Sequence, residues 1–77
     1  MKYVYIEWND AVSHDDWISE DSLDEGLPLI KTVGIYIKKN KDCYLVALNY
    51  DTTNKNYSCI INIPKAWVKT IRFINEI

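Results

Sequence analysis

Few side chains in this chain are of a type that does chemistry. Ser13, His14 and Asp15 supply the hydroxyl, imidazole and carboxylate of a hydrolytic triad. Catalysis requires those groups to converge on one point, whereas three adjacent residues on a short turn point apart. His14 is the one histidine, so no other imidazole can substitute. Asp10, Asp15 and Asp16 cluster, but no apolar framing singles one out for a raised pKa. Their spacing fits no divalent-cation loop, and Cys43 and Cys59 fit no metal-ligand spacing. With Gly26 and Gly34 the only glycines, a glycine-rich phosphate cradle is excluded. The expectation is a protein that is not an enzyme and needs no metal or cofactor.

Binding chemistry is better represented. Lys65, Lys69 and Arg72 surround Trp67, a basic and aromatic patch. There an indole can stack on a base while a cation meets phosphate. The structural alternative for Trp67 is a packing anchor for the last strand. Three Trp, six Tyr and one Phe in 77 residues are more large rings than one small core hides, so some belong at an interface or pocket. A chain this short buries only about 60% of its unfolded surface, and such scaffolds usually gain stability from a partner, a metal or disulfides.

Charge is segregated. Glu7, Asp10, Asp15, Asp16, Glu20, Asp21, Asp24 and Glu25 fall in residues 7–25 without a Lys or Arg among them. From Gly26 onward Lys and Arg outnumber the acids, and the net charge is −2. A sequence pI near 5.2 argues against a nucleic-acid binder driven by backbone phosphates, which needs a basic footprint. Met1-Lys2-Tyr3-Val4 runs into a strand pattern and no apolar run approaches the roughly 18 residues of a membrane span. We therefore expect no secretory leader, no membrane partner and a cytoplasmic location.

Five strands position these residues. Residues 3–8, 32–38, 43–50, 57–63 and 68–74 are rich in β-branched and aromatic types. A two-residue turn at Asn40-Lys41 would pair Lys39 with Asp42, Ile37 with Tyr44, Ile35 with Val46 and Val33 with Leu48. Pairing Tyr50 with Tyr57 would set Leu48 against Cys59, Val46 against Ile61 and Tyr44 against Ile63. Both hairpins then share one apolar face, with Cys59 in the core and Cys43 a free thiol pointing the other way, so that no bridge forms. The second face would carry Gly34, Tyr36, Leu45, Ala47, Ile60 and Asn62, Gly34 opposite Ala47, on a strongly curved sheet. Pro64 ends the fourth strand, since it cannot donate to a ladder, and one tight helical turn leads to the fifth. The fold expected is mainly β: a single domain over residues 1–77, a small five-stranded barrel of the Sm-like or Src-homology-3-like kind.

Residues 9–31 are too long for an ordinary connection, and loops of that length usually carry structure or function. Ser13 is a candidate helix cap with Asp16 at the third helical position, Val12 and Trp17 stand at staple spacing, and Asp15 and Asp16 suit a helix N-terminus. A short helical turn is expected near residues 13–19, with Leu23, Leu27, Leu29 and Ile30 tucking the rest onto the sheet.

Trp8-x-Asp10, Trp17 in an acidic loop, Val33-Gly34 in the second strand and Ile63-Pro64-Lys65 before the last strand form a pattern over nearly the whole chain. In this it resembles a group of small uncharacterised proteins encoded by bacteriophages and prophages. That resemblance implies a phage protein acting in the host cytoplasm, in a size class that includes inhibitors of host defence. Some of those are homo-oligomeric sponges that sequester cyclic nucleotide or cyclic ADP-ribose signals without cleaving them. On this reading Trp8, Asp10, Trp17, Lys65 and Trp67 bind the ligand: rings stack on the base, Asp10 takes a ribose hydroxyl or amine, and Lys65 pairs with phosphate. The alternative is a protein-interaction or RNA/DNA-binding adaptor.

Overall fold

The computed structural model describes residues 1–10, 17, 19–22 and 28–74. The proposed cap at Ser13, its staple partner Val12, and His14, Asp15, Asp16, Leu23 and Leu27 lie outside them. Among the described residues there are five strands: β1 (Lys2–Asn9), β2 (Leu29–Lys39), β3 (Cys43–Asp51), β4 (Asn56–Pro64) and β5 (Val68–Ile74). Single 3-10 turns occupy Glu20–Ser22, in the β1–β2 connection, and Lys65–Trp67, between β4 and β5. The former follows the segment where a helical turn was expected.

All strands are antiparallel in one sheet of order β4-β3-β2-β1-β5. The alternation of β1 sends Val4, Ile6 and Trp8 inward and leaves Tyr3, Tyr5 and Glu7 half-buried on the other face. Ile63 and Val46 complete the core, and Ile30, Tyr36, Tyr44, Val68 and Ile71 pack around it. On the same face Tyr36 and Phe73, which flank β1 from β2 and β5, meet edge to face with ring centroids 5.1 Å apart. Such pairs contribute about 0.5–1.5 kcal/mol beyond burial.

The sheet is coiled, and its connections show why it must be. In a flat five-stranded sheet the edge strands lie about 19 Å apart, four spacings of about 4.8 Å. Here Lys65 leaves β4 with its amide on the Asp42 carbonyl (2.8 Å), and Val68 enters β5 opposite Trp8. The four steps from Pro64 to Val68 reach about 14 Å at full extension and less in a 3-10 turn. Only a sheet folded over on itself brings the end of β4 to the end of β1.

It does not close into the barrel expected from the sequence. Among the described residues β4 and β5 are the two edges and pair with β3 and β1 alone. The β2–β3 ladder ends at Ile35–Ala47, while β3 and β4 stay paired to Asp51–Asn56. The hairpin therefore runs past the sheet as a two-stranded ribbon, exposed throughout residues 51–62. Cys59 has φ 55°, a left-handed conformation that costs a side-chain-bearing residue about 1–3 kcal/mol, and the regular ladder is interrupted there.

The β3–β4 register is the one expected, with Tyr50 opposite Tyr57, Val46 opposite Ile61 and Tyr44 opposite Ile63. The β2–β3 register is not. The turn residues are Lys41 and Asp42: Asn40 donates its amide to the Cys43 carbonyl (3.0 Å), and its Oδ1 accepts from the amides of Asp42 (2.9 Å) and Cys43 (2.7 Å). A bulge between Tyr36 and Lys38 then shifts the register by one, so Ile35 faces Ala47 and Tyr36 faces Val46. One extra residue sends each following side chain to the opposite face. Tyr36 and Gly34 join the core side, and Ile35 and Val33 move to the other. Cys59, expected in the core, is exposed, and both cysteines are free thiols.

Candidate binding corner

Trp8 ends the core stripe of β1. It is buried, and its Nε1 donates to Thr32 Oγ1 at 3.0 Å, satisfying the one polar atom of the ring. Thr32 was not singled out in the sequence. Its signal is the β1–β2 register, which puts Ile6 opposite Thr32 and Trp8 opposite Ile30. Between Glu7 and Trp8 the β1–β5 register shifts, so that Trp8 meets Val68. Asp10 follows two residues later, half-buried, its amide donating to the Pro28 carbonyl (3.1 Å) at the mouth of the long connection.

The 3-10 turn arrives at the same corner, because Trp67 immediately precedes Val68. Pro64 fixes the backbone at φ −59° and ψ 129°, ending the ladder and starting the turn. Lys65 is half-buried, and its Nζ lies 5.6 Å from the centroid of the Tyr44 ring, a cation–π contact. Trp67 keeps 40% of its surface exposed. Thus Lys65 and Tyr44 form a cationic and aromatic pair beside the β2–β3 turn, and the exposed Trp67 follows two residues on. Tyr44 escaped notice in the sequence because the register placed it among core residues opposite Ile63, which it also is.

The expected site residues divide accordingly. Trp8, Asp10, Lys65 and Trp67 belong to segments that meet at one corner, Trp8 as a core ring and Trp67 as an exposed one. Trp17 is fully exposed. Lys69 and Arg72 lie on β5, and Arg72 pairs across to Tyr5 on the second face. There the Tyr5 hydroxyl donates a hydrogen bond to Glu7 Oε1, which holds the phenol pKa above its ordinary value; partial desolvation and the Glu7 charge add to the effect.

Among the described residues no cluster of three or more His, Cys, Asp or Glu is placed to hold a metal ion, and no helix is long and apolar enough to cross a membrane. No family model matches this chain, and no curated protein or solved structure does.

Proposed function

We propose that this chain is a non-enzymatic binding protein whose ligand is nucleotide-like and seats at the Lys65–Trp67 turn. The observation that carries the reading is the Lys65 ammonium over the Tyr44 ring with the exposed indole of Trp67 two residues on. Trp67 offers a face for a base, Lys65 a charge for phosphate, and Asp10 an acceptor for a hydroxyl or amine. Trp8 acts from the core by fixing the end of β1 against β5, and Trp17 is a ring the long connection can add. The resemblance to phage proteins supports a homo-oligomeric sponge for a cyclic nucleotide or cyclic ADP-ribose signal in the host cytoplasm. The strand order and the single turn before β5 support kinship with Sm-like and Src-homology-3-like domains, here with an open sheet.

Calorimetry and tryptophan fluorescence against a panel of cyclic dinucleotides and cyclic ADP-ribose isomers test this reading. We expect one ligand to quench the indole emission, Trp67→Ala to abolish most of that quenching, and Lys65→Ala to weaken binding by about 10–100-fold, the range of a hydrogen bond to a charged group. No binding by any member of the panel would overturn it. A second reading, a protein-interaction adaptor, is favoured by the uncharged exposed edge of β4 and predicts a protein partner with no small-molecule shift.

A further inference from the structure

Among the described residues β4 and β5 are the sheet's two unpaired edges, but they are not equally defended. Edge strands of monomeric proteins usually carry charges, proline or a covering segment, because a bare edge is a template for another strand. β5 carries Lys69 and Arg72. β4 carries no charged residue, and its one proline is its last position, Pro64. The nearest charges in sequence are Lys55 and Lys65, which bracket the strand. The kink at Cys59 divides this edge but leaves Ile60–Ile63 in regular pairing with Ala47–Tyr44.

Apolar side chains flank the same edge on both faces of the sheet. Ile61 lies on the core side, opposite Val46, and is 38% exposed; Ile60 lies on the other, opposite Ala47, and is 51% exposed. Leu48 and Tyr57 add exposed apolar surface along the ribbon.

We propose that β4 pairs antiparallel with β4 of a second copy of this chain, joining two five-stranded sheets through a twofold axis. An uncharged strand meets no like charge when it faces itself, whereas pairing through β5 brings Lys69 and Arg72 toward their own copies. Ile60 and Ile61 become covered from opposite faces, and the ribbon gains the third and fourth strands that a two-stranded hairpin needs for stability. Antiparallel pairing about the regular Ile60–Ile63 stretch sets the two Lys65–Trp67 turns at opposite ends of the interface. The dimer thus holds two separate corners. This deepens the oligomeric part of the proposed function and rests on that reading for no more than the oligomer.

Sedimentation equilibrium without ligand tests it, with circular dichroism as the check on folding. The wild-type chain is expected at twice the monomer mass at 100 µM, and Ile60→Lys at the monomer mass with an unchanged spectrum. Mixing Ile60→Lys with Ile60→Glu should restore a mass-doubled species. Ile74→Lys, on the opposite edge, should remain dimeric. A monomeric wild type, or a dimer that Ile74→Lys breaks and Ile60→Lys does not, overturns the proposal. Because no ligand is present, either result leaves the nucleotide panel free to succeed or fail separately.

Discussion

Two ionisable side chains show how local hydrogen bonds set protonation. At the tip of the ribbon Asp51 Oδ2 accepts from the Asn54 side chain (2.9 Å) and Oδ1 accepts from the Thr53 amide (2.9 Å). Led by the Asn54 contact, these bonds hold its carboxyl below the ordinary carboxylate value. Tyr5 shifts in the other direction, since its hydroxyl must stay protonated to donate to Glu7. With a folded pKa above the unfolded value of 10.0, the Tyr5 contribution is complete below pH 10 and is lost as pH rises through the folded value. Tyr5→Phe should therefore remove a phenol that titrates above its ordinary value from the absorbance titration and flatten the alkaline fall in stability. If the wild type and the variant lose stability in parallel above pH 10, the Glu7 contact is not what holds the proton.

At the scale of the element, Gly34 sets how closely β2 and β3 approach. A Cβ on Gly34 would stand 2.6 Å from Val46 Cγ1 and 2.8 Å from the Ala47 carbonyl oxygen. The valine methyl can rotate away but the backbone oxygen cannot, so a side chain here must push the strands apart. Gly34→Ala is expected to cost about 2–3 kcal/mol, the upper part of the overpacking range, and to lower the urea midpoint by about 2 M. A midpoint within 0.5 M of wild type would show that the strands can separate freely. The same pair of strands marks the limit of what the sequence discloses. The β3–β4 register was legible because pairing Tyr50 with Tyr57 across the turn sets Val46 against Ile61 and Tyr44 against Ile63, and no bulge shifts the strands between these pairs. The β2 register was not, because Ile35, Tyr36 and Ile37 are apolar in succession and pattern alone cannot locate a bulge. The candidate site was half legible for a related reason. Lys65 and Trp67 follow a proline that announces a turn, whereas the burial of Trp8 depends on Thr32, a residue 24 positions away.

For the whole molecule, stability is unevenly distributed. A domain of this size has a total of about 4–12 kcal/mol, and the fully buried side chains Val4, Ile6, Val46 and Ile63 sit at one end of β3 and β4 while the ribbon occupies the other. Hydrogen exchange should reflect this: amides of Val4–Trp8 open only with global unfolding, and those of residues 56–58 open locally and far faster. Raising the protein concentration from 1 to 200 µM should slow exchange along β4 and leave the amides of β5 unchanged. Uniform exchange across the sheet at both concentrations would contradict the uneven distribution and the dimer edge together.

The pairing of β1 with β5 has a further consequence, for the order of events during synthesis. Tyr3 lies opposite Ile74 and Ile6 opposite Ile71, so the first of these five strands to be made waits for the fifth. Ile63, Val68 and Ile71, which cover Val4, Ile6 and Trp8, also emerge late. A nascent chain halted before β5 would hold β1 with one neighbour and its apolar stripe uncovered. The ribosome must deliver residues 2–74 before this core is complete, and the interval in between is when chaperone capture or proteolysis competes with folding.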